Sequence, residues 1–265
     1  MKKHIPVEFL FQVFALILSI IMIHAIYVSI VRPNAEVIVA EDQMLLQENS
    51  DYVPRRSVWV LIKDYEQEAC FVLGFWALAL MGFKTWQGMA ERKLLQSDLI
   101  PVSEGMSILP EDTREYARPI QALPETLQNL LLPRALLTAL HRFRSTRNIQ
   151  DVSSAVRTIS DSENDRLDSE LSMIRYIAWA IPSIGFIGTV RGIGQALAQA
   201  HKAVEGDIAG VTASLGVAFN STFIALLISI VIMFFVHQLQ QTQERLVLDT
   251  QTYIDQRLIR HLHIR

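Results

Sequence analysis

Two apolar stretches in the second half of this 265-residue chain carry small and hydroxyl-bearing residues at helical spacing. In the first, Ala178, Pro182, Gly185, Thr189, Gly192 and Ala196 fall on one helical face, and Gly188 with Gly192 adds a GxxxG pair. In the second, Ser214, Ala218, Ser221, Ala225 and Ser229 form a matching stripe, with Asn220 and Thr222 beside it and Phe219, Phe223, Leu226 and Ile230 on the opposite side. Hydroxyls at mid-span, here Thr189 and Thr222, can hold water or replace part of an ion's hydration shell. The plainer reading is close helix packing, with each Ser and Thr bonded back to its own helix. Both readings are open at this level.

Hydroxyls do not change charge at accessible pH, whereas proton relays in membranes use a carboxylate or histidine. Residues 176–198 and 211–236 contain no Asp or Glu. If ions cross here, another chain is expected to bring the carboxylate. Arg191, two residues after Thr189, is the basic residue set deepest in a span, and is expected either to snorkel outward or to offset an acid of a partner or neighbour. Pro182 leaves the carbonyl four residues earlier without its usual donor, which is tolerable beside protein or water.

The elements that position these residues are membrane helices. The chain is 51% hydrophobic and 19% charged, and the apolar residues come in blocks. Residues 9–31, 69–83, 176–198 and 211–236 read as spans, the second being short, with Lys84 and Trp86 suited to the interface. The expected fold is all-α: a polytopic protein with four transmembrane helices and long cytoplasmic helical extensions. Residues 32–68 hold four basic residues against eight acids, while 84–175 hold twelve Lys and Arg. The positive-inside tendency therefore places both termini in the cytoplasm. The expected organisation is a first span in 1–31, an external segment 32–68, a second span 69–86, a cytoplasmic helical segment 87–175, a pore domain 176–237 and a cytoplasmic C-terminal helix 238–265. Prolines at 101, 110, 119, 124 and 133 imply short or broken helices in that part of the cytoplasmic segment.

Residues Ile181 to Ile193 resemble the P-x-x-G-x-x-G-T-V-x-G-I signature of the MotA/TolQ/ExbB family in its TolQ/ExbB branch, and residues Leu215 to Ser229 resemble, more loosely, the span that follows it. The four-span layout is similar to the flagellar stator branch. The resemblance implies a homo-oligomer, a pentamer, around a dimer of single-span ExbD/TolR/MotB-like partners whose membrane Asp carries H+ or Na+. It implies a bacterial inner-membrane location and an ion-driven motor. The family's pore threonines fall on Thr189 and Thr222, and its structural positions on Pro182 and Gly188. Two departures stand out: Val217 occupies the place of an ancillary Glu of the ExbB branch, and Ala225 that of a Gly. The alternative function is a non-conducting membrane scaffold.

Other signals point nowhere further. Gly192-Ile193-Gly194 lacks a third glycine and a preceding strand. Asp161 to Asp165 lacks the glycine of a calcium loop. His261 and His263 make no metal set by themselves, and the single cysteine, Cys70, cannot form an intrachain disulfide. No nucleophile–base set suggests an enzyme. A net charge of −3 gives no reason to expect nucleic acid, and no cofactor is implied beyond the transported ion.

Overall fold

The computed structural model of the chain describes residues 7–48, 52, 55, 57–101 and 106–264. Asp51 and Arg56, counted in the charge reading of residues 32–68, lie outside the described residues. The fold is all-α, and four helices are long and apolar enough to cross a membrane. Among the described residues the only extended pairing is an isolated bridge between Ile108 and Leu262.

The chain begins with α1 (Val7–Ile26), a π turn (Tyr27–Val31) and α2 (Arg32–Glu48), which follow one another without interruption. The π turn has a physical cause in the sequence. Pro33 has no N–H and its ring crowds the preceding turn, and the wider turn just before it, in which Arg32 N–H bonds Tyr27 O, makes room. The helix therefore runs beyond the apolar block and into the segment expected to be external. After α3 (Val58–Ile62) comes α4 (Tyr65–Leu95), longer at both ends than the apolar block it contains. Then follow α5 (Thr113–Gln121), α6 (Glu125–Gln128), α7 (Leu131–Thr146), α8 (Ile149–Glu170), α9 (Ser172–Ala198), α10 (Ala200–Val204) and α11 (Ala209–Arg257).

The residues form two compact units. The first gathers the described residues of Met1–Met81 with Met173–Val236. It contains the helix pair that carries the paired stripes, and most of its large apolar residues face outward. Phe186, Ile187, Val190, Phe219, Phe223 and Ile230 are all exposed, as lipid-facing or subunit-facing residues are. Trp76 on α4 donates its indole N–H to the Gln12 carbonyl of α1 at 3.0 Å.

The second unit, Gly82–Ser172 with His237–Arg265, has a conventional apolar core. Leu136, Leu140 and Phe143 of α7, Val152 and Val156 of α8, Ile120 of α5, and Ile254 and Leu258 near the chain end pack together there. The α7–α8 hairpin is set by Arg147, whose left-handed backbone (φ 52°) closes α7, and by Asn148, whose side chain accepts the Gln150 N–H at 2.9 Å. The tail departs from the expected single helix 238–265. Helix α11 ends at Arg257, a 3-10 turn covers Ile259–His261, and the chain then pairs with Ile108 through bonds of 2.7 and 3.1 Å. Burial of Leu258 and Leu262 in the core draws the chain off the helix axis.

Candidate functional site

The two small-residue stripes meet. Ala178, Gly185, Gly188, Gly192 and Ala196 on α9 are buried, as are Ser214, Ala218, Ser221 and Ala225 on α11. The contact is closer than a side chain would allow. A Cβ on Gly192 would stand 2.7 Å from the Ala218 nitrogen and 2.8 Å from the Ala218 Cβ, and one on Gly185 would collide with the Ala225 methyl. Gly188 faces Ser221 in the same way, at 2.5 Å from its Cβ. Glycine and alanine are needed on this seam because the backbones themselves are in contact.

The hydroxyls of the seam are engaged across it. Pro182 lacks the N–H that would bond the Ala178 carbonyl, and Ser229 of α11 donates to that carbonyl instead, at 3.1 Å. The vacancy created on one helix is filled from the other. About two turns further along, Thr189 and Thr222 touch hydroxyl to hydroxyl. Thr189 also has the Ala218 carbonyl at 3.0 Å and the Gly185 carbonyl at 3.3 Å, while Thr222 has the Gly185 carbonyl at 3.1 Å.

Each hydroxyl has one hydrogen to give. Two patterns therefore satisfy the set. Either Thr222 donates to Thr189, and Thr189 to Ala218 or Gly185, or Thr189 donates to Thr222, and Thr222 to Gly185. Rotating the hydroxyls interconverts them without moving a backbone atom. Ser221 beside them donates to the Val217 carbonyl at 2.9 Å, and the amide of the fully buried Gln67 reaches its oxygen at 3.5 Å. Asn220 is half-buried and stands outside this bonded set.

Arg191 has an in-chain partner. Its Nη2 donates to Glu66 Oε2 at 2.7 Å, and its Nε lies 2.7 Å from Oε1. Glu66 belongs to the first turn of α4, and its Cγ would lie 3.2 Å from a Cβ on Gly188. The chain thus brings a carboxylate to the edge of the seam, already matched by a guanidinium. Glu68, one residue past Gln67, pairs with Arg32 and hydrogen-bonds the His24 ring at 2.7 Å. Arg32 also stacks over the ring of Tyr65, 4.4 Å from its centroid. Asp64 precedes the helix, with one carboxylate oxygen buried and without a hydrogen-bond partner, and burial pushes its pKa up. Tyr27, 3% exposed, likewise has a buried hydroxyl without a partner.

The spacing of residues identified the seam from sequence, but not Glu66, Gln67 and Glu68. These stand just ahead of the apolar block and read as an external polar segment. The signal available was their place immediately before a span, where acids complement the start of a helix. Their pairing with Arg191, Arg32 and His24 is a long-range contact that periodicity does not carry. Among the described residues no group of His, Cys, Asp and Glu is disposed to hold a metal ion.

Neither the curated proteins nor the solved structures compared with the chain include a match. The stretch that holds both threonines, the whole of α9 and most of α11 does find one: residues 127–252, a little under half of the chain, match the model of the MotA/TolQ/ExbB proton channel family.

Proposed function

We propose that this protein is the pore-ring subunit of an ion-driven inner-membrane motor, in which H+ or Na+ passes along a single-span, Asp-bearing partner and the flow is coupled to mechanical work. The single observation that carries the reading is the Thr189–Thr222 contact inside a tight helix seam, within the stretch that matches a proton channel family. The pair offers two interchangeable hydroxyl patterns at the surface an ion would pass, with Pro182, Gly188 and Gly192 holding the backbones in place. It has no titrating acid of its own. Glu66 is the nearest carboxylate to the seam that the contacts reveal, and Arg191 already balances it. The carboxylate that takes and releases the ion is therefore assigned to a partner of the ExbD/TolR/MotB kind, a dimer enclosed by five copies of this chain, with both termini of each copy in the cytoplasm.

A second reading has its own observation. Thr189, Thr222, Ser221 and Ser229 all find acceptors within the chain, which would equally suit a rigid, non-conducting scaffold. The two readings differ in composition of the native complex. Purification of the full-length protein from its own membranes, followed by native mass spectrometry, should give five copies with two of a small single-span protein containing a membrane Asp. A stable assembly of this chain without any such partner would favour the scaffold.

A further inference from the structure

The second unit contains a cavity of about 230 Å3 between α5 and α7 that the conduction reading does not use. Arg114, Arg118 and Gln121 of α5 and His141 and Arg144 of α7 line it, over an apolar floor that includes Leu140. Its lining contains no Asp or Glu.

The arrangement runs against what each helix would favour alone. Arg114 and Arg118 are four residues apart, so like charges sit one above the other on α5, where such pairs are mildly destabilising. Arg144 of α7 adds a third guanidinium, and His141, one turn earlier, adds an imidazole. The acids nearby in sequence are not in the lining, whose Arg114, Arg118, His141 and Arg144 are exposed at an open mouth: Glu111 pairs with Arg147, 3.6 Å away, Asp112 accepts the Leu109 N–H at 3.2 Å, and Glu115 stands outside the lining.

A concave site with three guanidiniums, an imidazole and an amide donor is matched to a compact polyanion. Guanidinium forks present paired N–H groups at the spacing of two phosphate oxygens, and a phosphate group has enough acceptors to engage more than one fork. An isolated carboxylate would satisfy only one. We infer that the α5–α7 cavity is a binding site for a phosphate group, carried by a soluble phosphate compound or by a lipid headgroup. The inference does not depend on conduction through the seam.

The test uses the purified full-length protein in its native assembly. Binding is measured by calorimetry for inorganic phosphate and a nucleoside triphosphate, and by flotation with vesicles of zwitterionic lipid with and without phosphatidylglycerol. Arg118→Gln/Arg144→Gln is the test variant. The single change Arg114→Gln is the check if the double variant assembles poorly. Saturable binding of a soluble phosphate compound, weakened at least about tenfold in the variant by the loss of charge-assisted hydrogen bonds, identifies a soluble ligand. Binding confined to anionic vesicles, and lost in the variant, identifies a headgroup. No binding to any probe, or binding unchanged by the substitutions, overturns the inference.

Discussion

At the scale of single residues, Ser229 and Pro182 show how two closely packed helices tolerate a broken hydrogen-bond ladder. The proline frees the Ala178 carbonyl inside a low-dielectric seam, and Ser229 supplies the missing donor from the neighbouring helix. Replacing Ser229 with Ala should leave that carbonyl unsatisfied and cost about 1–3 kcal/mol. The expected readout is a lower melting temperature of the purified protein in detergent, with Ser229→Thr close to wild type. Equal melting of the Ala and wild-type proteins would mean that the carbonyl is satisfied by other means. Thr189 and Thr222 differ from Ser229 in that each has a choice of acceptor. That choice is what separates a pair able to reorient its hydrogens from one that merely closes a packing gap.

At the scale of elements, the seam between α9 and α11 depends on which glycines face it. Gly192 has no room for a methyl group, whereas Gly194, two residues on, has open space around its missing side chain. Gly192→Ala should therefore destabilise by about 1–3 kcal/mol through overpacking. Gly194→Ala should be neutral, or stabilising by up to about 1 kcal/mol from helix propensity. Thermal melts should show a lowered melting temperature for Gly192→Ala and no lowering for Gly194→Ala, and an equal shift would contradict the assigned faces.

In the second unit, Glu163 of α8 is pinned by Arg134 and Arg166. Burial pushes its pKa up, but hydrogen bonds from Arg166 and Arg134 outweigh this and hold it below the usual carboxylate value. A depressed folded-state pKa adds stability above the unfolded value, and that stability is lost as pH falls through the folded value. Acidification should therefore lower the melting temperature of wild type more steeply than that of Glu163→Gln. Parallel curves would show that the pair of arginines contributes nothing.

Much of the fold was legible because spans and stripes are periodic features. The small residues of α9 and α11 announced their contact at spacings of three and four. What escaped was non-periodic: Glu66 meeting Arg191, the π turn accommodating Pro33, and a tail drawn off its helix by Leu258 and Leu262. Each depends on residues distant in sequence or on a local compromise that overrides pattern.

At the scale of the whole molecule, the membrane-spanning helices expose apolar faces, bury a hydroxyl seam and pair Glu66 and Glu68, at the start of α4, with Arg191 and Arg32. Such a chain can shape an ion path but has no free carboxylate in the seam to work it. This division of labour explains why the proposed activity belongs to a complex and not to the chain by itself. The proposal stands or falls on whether the threonine pair matters to ion movement. The most direct measurement is ion flux in proteoliposomes containing the intact complex, comparing wild type with Thr189→Val/Thr222→Val. Valine keeps the branched shape of threonine and removes both hydroxyls, so assembly should persist, as judged by an unchanged elution volume. We predict loss of most of the flux in the assembled double variant. Flux equal to wild type, with assembly intact, would contradict the assignment of the seam as the ion path.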